Sequence, residues 1–161
     1  MSSDRLPRRA ALLGLLALSG CGFRPVYGSD PTLRGAFAFD TSESVAGFRL
    51  RERLEQRLGV PDAPKFLLRV RQPGRSSPAA VTAQGETVRF NVIGGANWTV
   101  ERLDDGQLVR IGNVESFTSY AATGSTVATQ AAEEDAQARL SVALADMVVS
   151  RLLILSTEGV L

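Results

Sequence analysis

The sequence contains no histidine and only one cysteine, Cys21. Without histidine the chain lacks the commonest general base and metal ligand of proteins. With one cysteine it has no internal disulfide, no zinc site built from Cys and His, and no Cys–His or Ser–His–Asp catalytic set. We therefore expect no enzymatic activity, no metal site and no cofactor.

An excess of charge of either sign is also missing, because 18 basic and 17 acidic residues leave a net charge of only +1. A protein that binds nucleic acid usually carries an excess of basic residues, so we expect no nucleic-acid partner. The adjacent carboxyl groups at Asp104-Asp105 and Glu133–Asp135 lie in a predicted turn and on a predicted solvated helix face, so we do not interpret them as catalytic. An apolar content of 44% is enough for a hydrophobic core.

The apolar run Ala10–Leu18 is too short to cross a bilayer, which takes about 20 apolar residues. It follows Arg8 and Arg9 and ends in Leu18-Ser19-Gly20-Cys21. A basic start, a short apolar centre and small residues before the cleavage point are typical of an export signal. Leu-Ser-Gly-Cys matches the bacterial lipobox, in which the cysteine is lipidated and becomes the new N-terminus. We predict that residues 1–20 are a lipoprotein signal peptide and that lipid is attached to Cys21.

Two alternatives exist for this segment. A plain secretory signal can carry a cysteine at its cleavage point, and Arg8-Arg9 can belong to a twin-arginine export signal. The basic segment that begins an ordinary export signal explains Arg8 and Arg9 without the rest of the twin-arginine motif.

Residues 21–34 are predicted to be a lipidated tether, because Gly28-Ser29-Asp30-Pro31 is typical of turns. Residues 35–161 are predicted to form a single domain.

The first half of that domain is predicted to contain two strands and a helix. A strand is predicted over Ala36–Asp40, and Ser42 or Ser44 is expected to cap a helix that ends at Gly59. Lys65–Gln72 alternates as a half-buried strand, and the polar segment Pro73–Pro78 predicts a loop. The apolar face of the helix is expected to contain Val45, Phe48, Leu54 and Leu58.

A long hairpin is predicted next, with strands over Thr87–Leu103 and from Gln107 to about Tyr120. Asp105-Gly106 predicts a two-residue turn, and Gly94-Gly95 predicts a bulge. That turn places Glu101 opposite Arg110. The face that carries Trp98 is then expected to include Val100, Val109 and Ile111.

A helix from Ser125 to about Leu155 completes the domain. Its apolar stripe is predicted to contain Leu140, Leu144, Met147, Val148, Leu152 and Leu155. The order strand, helix, three strands, helix predicts an α+β two-layer sandwich. Its mixed four-stranded sheet should begin with a parallel pair and carry both helices on one face.

Charge is segregated along the chain although the total is small. Residues 49–75 hold eight basic and three acidic residues, whereas residues 101–161 hold four basic and nine acidic ones. Two solvated faces that partly compensate each other would explain this pattern. The alternative interpretation uses Arg69, Arg71 and Arg75, whose guanidinium groups suit phosphate, as a binding patch for an anionic lipid head group.

The segment Cys21-Gly22-Phe23-Arg24-Pro25-Val26-Tyr27-Gly28 resembles the start of mature LPS-assembly lipoproteins, the LptE family of Gram-negative outer membranes. A second, weaker similarity lies in the C-terminal helix. It comprises Ser119-Tyr120, Ala128, Ala132, Asp135-Ala136, Arg139-Leu140, Ala143-Leu144-Ala145 and Leu152-Leu153.

The resemblance implies a non-enzymatic outer-membrane lipoprotein that plugs the LPS-translocon β-barrel, an LptD-like protein, helps its assembly and assists LPS insertion at the cell surface. Its domain would lie on the periplasmic side and inside the barrel lumen, and it would contact LPS. The alternative is a periplasm-facing lipoprotein adaptor or lipid carrier without a barrel partner. A carrier needs an enclosed apolar pocket, whereas a plug presents polar outer surfaces.

Overall fold

A computed structural model describes residues 33–81, 87–122 and 125–161, with the side chains of residues 74–81 and 87 excepted. The predicted signal peptide and Cys21 therefore lie outside the described residues. The elements are β1 (Phe37–Thr41), α1 (Val45–Leu58), β2 (Phe66–Arg71), β3 (Gly74–Val81), β4 (Thr87–Arg102), β5 (Leu108–Ala121) and α2 (Thr126–Thr157). The predicted α+β class is confirmed, and β3 is an additional strand.

The sheet is mixed, as predicted. Strand β1 runs parallel to β2, and β4 is antiparallel to β2, β3 and β5. Strands β2 and β3 lie end to end along the same edge of β4 and keep one register, since Arg71 pairs with Asn97 and Gly74 with Gly94. The five strands thus fill four strand positions.

The predicted loop at residues 73–78 is wrong, because most of it belongs to β3. Strand β4 is 16 residues long and outreaches β2, so its backbone groups need further partners along that edge. Pro73 lies at the interruption between β2 and β3, where its missing N–H costs no ladder bond. Its carbonyl still accepts a hydrogen bond from the Gly95 N–H at 3.0 Å.

Helix α1 begins where Ser44 caps it, with the Gly47 N–H donating to Ser44 Oγ at 3.1 Å. Leu54 and Leu58 are buried as predicted, but Val45 and Phe48 are 79% and 64% exposed. The first turn instead buries Gly47, where an added Cβ would lie 2.0 Å from the Ser42 carbonyl oxygen. This close approach of Gly47 to the chain turns the side of the helix that holds Val45 and Phe48 toward solvent.

The hairpin register differs from the prediction by one residue. Val100, not Glu101, pairs with Arg110, and a bulge follows between Val100 and Glu101. The turn is longer than two residues, because the Arg102 N–H donates to the Gln107 carbonyl at 2.9 Å and encloses four residues. Since a one-residue shift moves side chains to the opposite face, Ile111 is 63% exposed instead of sharing the core with Trp98.

The glycine pair at 94–95 carries no bulge, because Gly94 and Gly95 pair in register with Ser116 and Glu115. Gly94 serves helix packing instead, since a Cβ added there would lie 2.8 Å from Leu140 Cδ2. Small residues at this point let α2 approach the sheet closely.

Both helices cover one face of the sheet, as predicted, and the core lies between them and that face. Trp98 is 4% exposed, which confirms its predicted burial. The predicted α2 stripe is also buried, except that Met147 is 38% exposed. The stripe residues in the core are Leu140, Leu144, Val148, Leu152 and Leu155.

Helix α2 extends beyond this core. At 1.5 Å per residue its 32 residues span about 48 Å. None of the residues 126–135 is buried, so the first third of the helix lies at the edge of the core, where Ala132 packs against it partly buried. An 18-residue window of α2 has a mean hydropathy of 1.7, and 44% of that window is buried. By length and composition only, the helix is long and apolar enough to cross a membrane.

Candidate functional site: the open face of the sheet

No described element covers the face of the sheet opposite the helices. Side chains alternate along each strand, so Trp98 and Val100 of β4 enter the core while Asn97 and Thr99 point the other way. We call this outward side the open face. Its members include Asp40, Arg69, Arg71, Asn97, Thr99, Glu101, Ile111, Asn113, Glu115 and Phe117.

The predicted arginine patch lies on the open face, but carboxylates occupy it. Arg69 Nε donates to Asp40 Oδ2 at 3.1 Å, and its Nη1 donates to Glu101 Oε1. Arg71 Nη2 also pairs with Asp40, at 3.0 Å. The strands produce this arrangement directly, because Asp40 is the cross-strand partner of Arg69 and Glu101 lies diagonally across β4.

Two arginines and two carboxylates make this cluster electrically neutral. The excess of positive charge in residues 49–75 therefore does not give a simple positive patch at β2. Arg69 is held between two acids, whereas the Arg71 side chain is 52% exposed, although its Nη1 and Nη2 both donate to Asp40. Arg75 lies in β3, with its backbone paired to Ile93, and its side chain is not among those described.

Two large apolar side chains also project from the open face. Phe117 of β5 is 67% exposed and pairs with Ile93, and Ile111 is 63% exposed and pairs with Thr99. Asn97 and Asn113 pair between these two positions. Sequence reasoning missed this surface because the predicted register placed Ile111 in the core. Ile111, Glu115 and Phe117 lie an even number of positions apart on β5 and so share one face of the strand. That spacing was the available signal.

The described part of the open face presents groups that suit binding. Among the described residues, no group of three or more Asp, Glu, Cys or His side chains is placed to hold a metal ion. Its amides, paired charges and two exposed apolar side chains are groups that can contact another macromolecule.

The family model for LptE, described as lipopolysaccharide-assembly, matches residues 34–152 of this chain. The match includes both helices up to Leu152 and all five strands. No curated protein sequence matches the chain significantly.

Solved structures share the fold. A protein described as a lipoprotein from Caulobacter crescentus CB15 is 20% identical with a TM-score of 0.64, over 76% of this chain and 92% of that one. Rare lipoprotein B from Shewanella oneidensis is 18% identical with a TM-score of 0.57, over 76% and 96%. A minor lipoprotein from Acinetobacter baumannii is 16% identical with a TM-score of 0.57, over 73% and 90%.

Proposed function

The chain belongs to the lipopolysaccharide-assembly family LptE, and we propose that it is an outer-membrane lipoprotein that plugs and helps to assemble the LPS-translocon β-barrel. In this proposal the partner is an LptD-like protein, and the complex assists LPS insertion at the cell surface. The domain lies on the periplasmic side and inside the barrel lumen. Its contribution is non-catalytic and consists of contacts.

The open face is the observation that best supports a barrel partner. The lumen of a large membrane barrel is polar, so a plug needs a polar surface with a few specific anchors. Asn97, Asn113 and Glu115 supply polar groups, and Ile111 and Phe117 supply apolar anchors. Aromatic side chains are enriched at protein interfaces, so Phe117 is the stronger of the two anchors.

The predicted lipid at Cys21 supports the location. Each buried CH₂ of an acyl chain contributes about 0.8 kcal/mol, so several chains anchor a protein firmly without spanning the membrane. The predicted tether of residues 21–34 separates Cys21 from β1, which begins at Phe37. The residue after Cys21 is glycine and not the aspartate associated with inner-membrane retention in some bacteria, which favours the outer membrane.

LPS contact is assigned to Arg69, Arg71 and Arg75. Because Asp40 neutralises part of this set, the LPS phosphate must compete with a carboxylate for Arg71. Replacing the three arginines by Ala should weaken LPS binding and flatten its dependence on salt, since exposed charges are screened. Asp40→Asn should strengthen LPS binding, because it removes the competing charge. Unchanged LPS binding in both variants would contradict this assignment.

The barrel proposal is tested by purifying the membrane-extracted full chain and identifying its partners by mass. An LptD-like barrel should co-purify with the wild type, and Phe117→Asp should reduce its yield several-fold. Phe48→Asp is the matched control, because Phe48 is similarly exposed at 64% but lies on α1, away from the open face.

Depletion of the protein should also lower the amount of assembled barrel and of surface LPS. If no barrel co-purifies and depletion leaves both quantities unchanged, the plug proposal fails. A lipoprotein adaptor or lipid carrier without a barrel partner then takes its place.

A further inference from the structure

Strand β5 lies at one edge of the sheet, since among the described strands it pairs with β4 alone. Successive residues of an antiparallel strand direct their backbone groups alternately toward the partner strand and away from it. The Ala122 N–H, directly after β5, donates to the Val88 carbonyl of β4 at 3.0 Å. Beyond the bulge, the even-numbered residues of β5 therefore face β4 and the odd-numbered residues face outward.

Four outward-facing residues of β5 form a free edge. Their outward N–H and C=O groups have no hydrogen-bond partner within the part of the chain that the structure describes. These residues are Ile111, Asn113, Glu115 and Phe117, whose side chains lie on the open face. The edge ends at Ser119, because its carbonyl accepts a hydrogen bond from Arg139 Nη2 at 3.3 Å. A row of unpaired backbone groups is a template for a further strand.

The usual features that block pairing at a sheet edge are missing from this part of β5. Proteins protect edge strands with proline, with lysine or with a bulge. Residues 111–117 contain no proline and no lysine, and they pair with β4 without a register shift. Their one charged side chain is that of Glu115. The edge is therefore open to a second strand.

A second copy of β5 fits this edge in one antiparallel register. That register places Ile111 opposite Phe117 of the partner subunit, and Asn113 opposite Glu115 of the partner subunit. Each such pair occurs twice, because the contact is symmetric. Apolar side chains then meet apolar ones, and an amide donor meets a carboxylate acceptor, which are favourable cross-strand pairs.

The neighbouring registers are poorer. A shift of two residues in one direction places Glu115 directly opposite Glu115 of the partner subunit, and like charges in that position are destabilising. A shift in the other direction places Ile111 opposite Glu115 of the partner subunit and leaves its apolar surface without an apolar partner. The residues of this edge thus select a single self-pairing.

We propose that two copies of this chain pair antiparallel along the free edges of β5, from Ile111 to Phe117, about a two-fold axis at Val114. Each facing pair of outward residues exchanges two backbone hydrogen bonds, so the unpaired groups of both edges are satisfied. The two open faces then lie on the same side of one continuous sheet. This contact needs no barrel, so it holds or fails independently of the plug function.

Disulfide trapping tests the register. Ile111→Cys and Phe117→Cys chains with different tags are co-expressed at full length, extracted in a neutral detergent and oxidised. Directly opposite residues lie about 5.5 Å apart between Cα atoms, within the range of a disulfide. The mixture should therefore give a mixed disulfide dimer on a non-reducing gel.

Each cysteine variant alone is the control for this experiment. Identical positions in the two copies are six residues apart along the strands, about 20 Å at 3.3 Å per residue, which is too far for a disulfide. The wild type controls for Cys21, the only native cysteine. Neither single variant should exceed the wild type in disulfide dimer.

Charge substitutions test the same register without a cross-link. Asn113→Asp should lower the dimer association constant several-fold in sedimentation equilibrium, because it places a carboxylate opposite Glu115 of the partner subunit. The double variant Asn113→Asp/Glu115→Lys should restore association, since opposite charges then face each other. Asn97→Asp is the matched control, because Asn97 is exposed on the same face but lies on the interior strand β4.

The proposal is overturned if the mixed cysteine variants give no more disulfide dimer than either variant alone. It is overturned equally if the wild type sediments as a monomer at every concentration. Association of Asn113→Asp that equals that of Asn97→Asp, or a double variant that stays as weak as Asn113→Asp, would also contradict the proposed pairing.

Discussion

At the scale of single residues, the burial of Trp98 depends on a side chain that is missing from the neighbouring strand. Trp98 pairs with Gly112, and its ring lies over that glycine. A Cβ added to Gly112 would lie 2.3 Å from Cζ2 and 2.5 Å from Cε2 of Trp98. Those ring atoms have little room to move, because Trp98 is 4% exposed and packed within the core.

Gly112→Ala should therefore destabilise the protein by roughly 1–3 kcal/mol through overpacking. Gly95→Ala is the control on the adjacent strand, because a Cβ there would lie 3.4 Å from the Val114 carbonyl oxygen, an ordinary contact. That control should be neutral or slightly stabilising, since alanine loses less entropy than glycine on folding. Urea unfolding measures both, and equal midpoints would contradict the placement of the Trp98 ring.

At the scale of elements, the two helices differ in how they begin and share one ionic contact. Ser44 caps α1 with its side chain, whereas Ser125 precedes α2 without a side-chain cap bond. Between the helices, Asp146 of α2 accepts from Arg53 at 3.0 Å and from Arg57 at 2.9 Å. The hydrogen bond to Asp146 raises the pKa of Arg53 above its ordinary value.

Ser44→Ala should cost about 1 kcal/mol, because the Gly47 N–H loses its hydrogen-bond acceptor at the start of α1. Ser125→Ala should cost much less, since the Ser125 side chain caps no N–H. The comparison of the two variants by thermal unfolding checks the assignment of the caps. Similar losses of stability in both would argue against it.

Asp146→Ala should destabilise the helix pair by about 1–2 kcal/mol, a figure reduced for the partial exposure of these charges. The loss has two causes: Arg53 and Arg57 lose their shared acceptor, and two cations one turn apart then repel each other. Glu52→Ala is the control, because it removes an exposed pair with Arg49 and should cost less than about 0.5 kcal/mol. Chemical denaturation should rank the two variants in that order.

At the scale of the whole molecule, the two faces of the sheet have different roles. One face is buried under α1 and α2 and supplies the core. The open face carries paired charges, amides and the exposed Ile111 and Phe117. The domain begins at the end of the predicted tether, so the predicted lipid at Cys21 would hold the open face close to a membrane.

Cys21→Ala should abolish acyl labelling and leave the precursor uncleaved by the lipoprotein signal peptidase. The reason is that Cys21 is the only cysteine and the lipobox needs it for both steps. Metabolic labelling with a fatty acid and gel mobility measure the two effects, and Ser19→Ala, which keeps a small residue, is the control. Normal processing of the Cys21→Ala protein would contradict the lipoprotein assignment.

The sequence alone determined the features that depend on neighbours a few residues away. The helix that ends at Leu58, the long C-terminal helix and the paired long strands all follow from periodicity, caps and turn residues. The burial of Trp98 and of most of the α2 stripe follows from the same patterns. The family resemblance lies in short segments of sequence, and the match over residues 34–152 confirms it.

Only the tertiary structure decided the features that depend on distant partners. In the sequence Arg69 looks free to bind a ligand, but in the fold it pairs with Asp40 and Glu101, which are 29 and 32 residues away along the chain. The one-residue offset at Val100 decides which face carries Ile111, and the length of β4 decides that β3 is a strand. Local preferences act within a turn or two of chain, whereas register and charge pairing are set by backbone and side-chain partners that meet only when the sheet forms.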